Sequence, residues 1–447
     1  MVVRREPFKI QIRDPIHGTL QLSRNEVAVV DHGAYQRLRM IKQLGLADLA
    51  FPGATHTRYA HGLGTMHIAS RMFRILVKGY DLAEADELRL LQTLRLAAMF
   101  HDLGHAPLSH TTEAFMPQAG ALDLGPWLEG RPDRLASHED YTLKIIIGSE
   151  LTKLIEERFA DVGVRPEDVA TLIAGRAPLP GLEDRFRVGG RNWLPLLRQC
   201  VSSELDADRM DYLLRDSYFA GVPYGRYDHE WLLENLLPVE RDGALYLGLN
   251  ARALFGFEDY LLSRYHMFMS VYFHHIPIGY EVMLKCFHEE ATGELVIPAA
   301  VEGYLGCDDV FLFSMLRASR SSWARRIVER KAYRMLVETR EVVGERDTLS
   351  RPTAQVEQVQ AALQERGISS QLHSVKGRLS KYFNQGASQP PHAQKSPELY
   401  LVDEGHADPV ETHVPLYQRY SGAIHLKRVY VDPARIDEAR EVLRKLT

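Results

Sequence analysis

The run Met99-Phe-His101-Asp102-Leu-Gly104-His105-Ala-Pro107-Leu-Ser-His110 holds the densest set of ligand-type side chains in the chain. A His-Asp pair ends an apolar stretch here, and Gly104 and Pro107 stop the helix just beyond it. An imidazole and a carboxylate at the foot of an apolar helix are costly unless something pairs with them. A divalent metal is a natural partner, because it takes one nitrogen and one oxygen ligand and neutralises the carboxylate. An isolated His-Asp pair more often just caps a helix, so its surroundings decide. Upstream lies His56-Thr-Arg58-Tyr-Ala-His61, and downstream Ser137-His138-Glu139. Further on comes Glu204-Leu-Asp206-Ala-Asp208-Arg209-Met-Asp211-Tyr212-Leu-Leu-Arg215-Asp216. On a helix, Asp208, Tyr212 and Asp216 fall at i, i+4 and i+8, a poor core stripe and a good pocket wall. Arg264, Phe268 and Tyr272 repeat that spacing, with core packing an equal reading for the two rings.

The elements that must position these groups are mostly helical. Residues 88–103 are apolar nearly all round, the pattern of a central buried helix. The first 24 residues alternate as two short extended segments around Asp14-Pro-Ile-His-Gly18. Residues 25 to about 280 read as helical, apart from a Gly/Pro-rich loop at 177–190. Helices are expected on to about Val343, with Gly344 as the stop. Residues 384–396 have the composition of a linker. After it, two alternating segments and a helix opened by Pro433 predict a small α+β lobe. The fold expected is mainly α: a helical core over 1–345, a helical extension and linker over 346–396, and the α+β lobe over 397–447.

Composition narrows the function classes. The 447 residues are 45% hydrophobic and 25% charged, with a net charge of -5. That excludes a collagenous or disordered chain and argues against nucleic acid as the main ligand. No run approaches the roughly 18 apolar residues of a membrane span, and the N-terminus does not read as a signal peptide. Cys200, Cys286 and Cys307 are far apart and lack metal spacing, so they read as plain thiols in a reducing compartment. The expected location is the cytoplasm.

In the order H…HD…D, set by His61, His101-Asp102 and Asp208, the chain resembles the HD-domain phosphohydrolases. Within them it is similar to the deoxynucleoside triphosphate triphosphohydrolases of the SAMHD/dGTPase type. The likeness extends to DPIHG at 14–18, QRLRMIKQLG at 36–45, FPGATHTRYAHGLG at 51–64, HDLGHAPLSH at 101–110 and DADRMDYLLRD at 206–216. It implies that His61, His101, Asp102 and Asp208 hold one divalent ion, with Mn, Fe, Zn, Ni and Mg all compatible. A further Mg is expected with the nucleotide. It also implies attack of water at the α-phosphorus, giving a deoxynucleoside and intact triphosphate. His110 and His138 are then acid/base candidates around the 5′-oxygen, His105 a phosphate contact, and Glu113 the carboxylate that orients a catalytic ring. Arg58, Arg209 and Arg264 match phosphate-binding positions, Gln43 and Asp216 the 3′-hydroxyl contacts, and Leu44 and Tyr272 further substrate contacts. Tyr212 matches the aromatic that excludes a 2′-hydroxyl, whereas Phe268 departs from the vertebrate member's histidine. Asp31, Gln36 and Arg39 resemble residues that read an activating dGTP or GTP between subunits of a homotetramer. His17, His32, His56, His67, His274 and His275 are expected to be structural. The competing readings are an HD phosphatase or phosphodiesterase acting on nucleotides or single-stranded ends, and a binding protein with a degenerate site.

Overall fold

The computed structural model of the chain describes residues 10–342, 353–377, 399–414 and 424–446. At its centre, helix Glu84–Phe100 packs on helix Arg58–Leu76, and every residue from 90 to 100 is buried. Arg95 is among them, and it is tolerated because Glu26 meets it with bonds of 2.5 and 2.8 Å. Gln92 donates to the same carboxylate at 2.7 Å. Burial opposes ionisation of Glu26, yet Arg95 keeps its pKa below the ordinary value. Helices His138–Ile147, Pro166–Ala174, Leu194–Val201 and Ala207–Ala220 complete the shell around this pair.

The N-terminal hairpin pairs Ile10–Asp14 with Gly18–Leu22, Asp14 opposite Gly18. Its turn puts Gly18 at φ +73°, a conformation that costs glycine nothing.

Two stretches read as helical are strands. Leu236–Arg241 and Ala244–Asn250 form an antiparallel hairpin inside the helical region. Its signal is local: Asp242-Gly243, both at positive φ, make the turn that matches strand twist. Leu245, Leu247 and Leu249 then alternate into the core. Likewise the helix expected to run to Val343 gives way to strand Arg334–Val342. That strand and Ser370–Gly377 flank Ile424–Val431 in one antiparallel sheet, covered by helices Thr353–Glu365 and Ile436–Leu446. The lobe therefore recruits residues 334–377 as well as the C-terminal segment. Tyr400–Asp403, one of the two alternating segments of the expected lobe, pairs in parallel with Ala244–Asn250 of the core. Alternation makes a strand but does not choose its partner. The linker at 384–396 and the stop at Gly344 lie outside the described residues. Among the described residues, no helix is long and apolar enough to cross a membrane.

Candidate active site

The Arg58–Leu76 helix brings His61 to the C-terminal end of the Glu84–Phe100 helix, where His101 and Asp102 follow. The Ala207–Ala220 helix brings Asp208 to the same point. His61 Nε2 lies 3.0 Å from Asp208 Oδ1 and 3.6 Å from Asp102 Oδ2. His101 Nε2 lies 3.3 Å from Asp102 Oδ1 and 3.5 Å from Asp208 Oδ1. Ligands about 2.1 Å from one ion, at right angles, stand about 3.0 Å apart, so these separations suit a shared cation. The tautomers agree with that. His101 Nδ1 is bonded to the Ala98 carbonyl at 2.8 Å, and its buried Nε2 has no hydrogen-bond partner among the described residues. His61 Nδ1 is bonded to Asp211 at 2.7 Å, so both Nε2 lone pairs face the carboxylates.

Charge tells the same story. Burial opposes a proton on His61, but its bonds to Asp208 and Asp211 raise its pKa to about 10. Asp102 is driven well down against its burial by Arg58, His101 and His105. Buried Asp102 and half-buried Asp208 thus call for positive charge, which a divalent ion supplies without protonating the rings. His61, His101, Asp102 and Asp208 fit the metal their spacing implies. Asp102 is shared, because Arg58 also donates to its Oδ2.

Behind His61 stands a buried network that no spacing rule disclosed. Asp211 accepts from His61, from His17 Nε2 at 2.6 Å and from Arg215 at 2.7 and 2.9 Å. Arg215 reaches on to Asp14 at 2.8 Å, and Asp14 also accepts from the backbone of Ile16 and His17. The DPIHG turn is therefore a brace for a metal ligand. A Cβ on Gly64 would come within 1.9 Å of Asp211 Oδ1, so the helix needs glycine there. His56, also expected to be structural, orients Asp216 through a 2.8 Å bond. His32 and His274 cap helix N-termini. Asp211→Asn, which keeps the shape but not the charge, is expected to weaken metal binding about 10- to 100-fold. Competition with a fluorescent chelator measures this, and unchanged affinity would remove Asp211 from the role.

The loop after His101 is held in an unusual course. Leu108 and Ser109 adopt φ of +56° and +60°, unfavourable for residues with side chains. Asp309 accepts from the Leu108 and Lys42 amides at 2.6 and 3.0 Å, and Ser109 Oγ donates to the Lys42 carbonyl at 2.8 Å. Arg37, buried within the QRLRMIKQLG run, donates to the carbonyls of Leu103, His105 and Cys307. This bracing gathers a second group of rings. His105 and His138 stack with centroids 4.0 Å apart, and His110 meets both edge-on. Glu113 Oε1 takes Nδ1 of both His138 and His110. Burial opposes charge on His138, but Glu113 raises its pKa above the ordinary value. His105 moves the other way, pushed well down by burial, Arg58 and His138. It touches the metal cluster as well, with Nε2 3.2 Å from Asp102 Oδ1.

A cavity of about 610 Å³ joins these groups. His101, Asp102, Asp208, His105, His110 and His138 line it, while His61 and Glu113 stand behind their partners. The substrate-binding candidates Gln43, Leu44, Arg58, Arg209, Tyr212, Asp216, Arg264 and Tyr272 all line it too. Arg209 and Arg264 both pair with Glu204, at 3.4 and 3.1 Å, and among the described residues the buried Arg264 Nε has no hydrogen-bond partner. Tyr272 donates to Asp216 at 2.8 Å, and the buried Gln43 Oε1 has no hydrogen-bond partner among the described residues. A π turn over Phe268–Tyr272 delivers Phe268 and Tyr272 to the wall, so they are not plain core. Asp31, Gln36 and Arg39 lie elsewhere. Arg39 is exposed, bonded to Gln36 at 2.8 Å and stacked over the Tyr59 ring at 3.5 Å. Glu281 also lines the cavity, a carboxylate that residue spacing left unnoticed.

Residues 227–376 match the family described as the HD associated region. An uncharacterised protein of Methanocaldococcus jannaschii is 31% identical over 326 residues, covering 73% of this chain and 59% of its own length. The uncharacterised protein YwfO of Bacillus subtilis is 34% identical over 279 residues, 62% of this chain and 54% of its own. The deoxynucleoside triphosphate triphosphohydrolase SAMHD1 of Homo sapiens is 26% identical over 372 residues, 77% of this chain and 56% of its own. The chain thus spans a little over half the length of these curated relatives. The crystal structure of a hypothetical protein from Aquifex aeolicus superposes with a TM-score of 0.71 at 26% identity, covering 97% of this chain and 99% of that one. A helical core that gathers His61, His101 and Asp208 at one point, with Asp102 beside them, and these likenesses together support the HD-domain phosphohydrolase family for this chain.

Proposed function

We propose that the chain hydrolyses deoxynucleoside triphosphates at the α-phosphorus, releasing a deoxynucleoside and intact triphosphate. The observation that carries this is one cavity lined by His101, Asp102 and Asp208, three arginines, the histidine group, and the polar pair Gln43 and Asp216. A bound divalent ion supplies Lewis-acid polarisation of a phosphoryl oxygen and a more acidic water. Arg58, Arg209 and Arg264 offset the charge of the triphosphate, each with donors in a planar fork. His138 or His110, both bonded through Nδ1 to Glu113, delivers a proton to the 5′-oxygen as the deoxynucleoside leaves. His105 packs against His138 and contributes a hydrogen bond to phosphate. Gln43 and Asp216 take the 3′-hydroxyl, and the relative named SAMHD1 supports the same substrate class.

The deciding experiment incubates the protein with each dNTP and NTP, with Mn or Mg, and resolves products by chromatography. Inorganic triphosphate supports the proposal. Phosphate or pyrophosphate instead would sink it and favour the nucleotide phosphatase or phosphodiesterase. Ribonucleotides are expected to be poor substrates because Tyr212 fills the space beside C2′. Tyr212→Ala should raise NTP turnover relative to dNTP turnover at least about tenfold. Equal cleavage of GTP and dGTP by the wild type would refute that role.

The finer reading adds activation by dGTP or GTP at Asp31, Gln36 and Arg39 in a homotetramer. A carboxylate accepts from guanine N1–H and the exocyclic amine, and an arginine donates to O6. Adding dGTP or GTP should then speed dATP hydrolysis, and Asp31→Ala should abolish the gain. Equal rates in a protein that sedimentation shows to be tetrameric would remove the site.

A further inference from the structure

Once metal, phosphate and sugar contacts are assigned, one part of the cavity wall is left without a role. Ala47, Phe273, Ile278 and Val375 are among its lining residues, apolar side chains of the kind that receive a planar ring. Two polar side chains break that surface, Thr111 and Glu281. Glu281 comes from the His275–Glu290 helix, whose neighbours Ile278, Tyr280 and Val282 are buried against Leu46 and Leu108. Its carboxylate is thus fixed by a packed helix rather than carried on a loop. Among the described residues its hydrogen-bond partner is the Thr111 hydroxyl, which donates to Oε1 at 3.2 Å. One hydroxyl satisfies a small part of what a carboxylate can accept. Glu281 is partly exposed, and it lines the cavity. Packing around the carboxyl raises its pKa to about 7 despite the Thr111 bond, and donors brought by a ligand would favour its charged form.

Resting on the triphosphohydrolase reading, we propose that Glu281 reads the nucleobase and selects bases that present N–H donors, guanine foremost, against thymine. A carboxylate offers two adjacent acceptors, and guanine alone among the four bases sets two N–H donors side by side, on N1 and the 2-amino group. Adenine and cytosine each bring one exocyclic amine. Thymine brings a single N–H between two carbonyl oxygens, which a carboxylate repels. The role is one of specificity: Glu281 acts on which substrate is bound and not on the phosphoryl chemistry.

The test measures kcat/KM for dATP, dCTP, dGTP and dTTP in the wild type, in Glu281→Gln and in Glu281→Leu. Glutamine keeps the size and removes the charge, so the fold is retained. In the wild type dGTP should lead and dTTP trail. In Glu281→Gln the dGTP-to-dTTP ratio should fall at least tenfold, with dTTP turnover unchanged or higher. Glu281→Leu should flatten the ranking further, chiefly through KM. If all four substrates change by one common factor in either variant, Glu281 is a structural residue and the assignment is overturned. If the wild type releases triphosphate from none of the four, the triphosphohydrolase reading itself fails, and the assignment with it.

Discussion

His101→Ala is expected to lose dNTP hydrolysis by about a thousandfold or more and to lose its metal, while the protein still folds. Losing an ion that polarises phosphate and acidifies water removes several kcal/mol of transition-state stabilisation, which sets that magnitude. The structural cost is small, because the ring's protein anchor is one bond to the Ala98 carbonyl at the end of a helix. Asp102 is a different case. It also neutralises buried Arg58, so Asp102→Ala leaves a charge unpaired in the interior, and Asp102→Asn is the cleaner variant. Metal content by mass spectrometry, circular dichroism and triphosphate release together check the prediction. Full activity in a metal-free, folded His101→Ala protein would end the metal assignment.

Glu113→Gln is the second large effect, a fall in kcat of about 10²- to 10⁴-fold, the usual contribution of a positioned general acid. Glu113 holds two rings at once, so losing its charge unsettles both His110 and His138. The pH dependence identifies the mechanism. In the wild type burial opposes charge on His138, and the Glu113 carboxylate outweighs it, raising the pKa above the ordinary 6.5. Without that charge, burial lowers the pKa, and the basic limb of the kcat profile moves to lower pH. A profile whose basic limb stays put would show that His138 is not the acid. Stability follows the same groups with opposite limits. The raised His138 contributes below its unfolded pKa and loses that contribution as pH rises through its folded value. The depressed Glu113 contributes above its unfolded pKa and loses it as pH falls through its folded value. The pair therefore stabilises the fold most between those limits.

Most of the chemistry was legible in the chain because ligand types and helix spacing are local facts. A His-Asp pair at the end of an apolar helix and an Asp208/Tyr212/Asp216 stripe each follow from a few adjacent residues. So does the buried 90–100 segment, whose apolar periphery leaves it no exposed face. Long-range placement was another matter. Nothing near Asp211 says that it will sit behind His61, 150 residues away, or that His17 will share it. Glu281 looks like any helical glutamate until packing turns it toward Thr111 and the cavity. Residues 334–342 carry apolar and charged groups that a helix or a strand can accept, and pairing with residues 424–431 settles the matter. Sequence by itself determined which side chains are candidates to bind a metal, carry protons or grip phosphate, since side-chain chemistry and helical periodicity are properties of short segments. Only the tertiary structure decided which buried carboxylate braces which histidine, and which strands share a sheet, because those choices belong to packing between segments far apart in the chain.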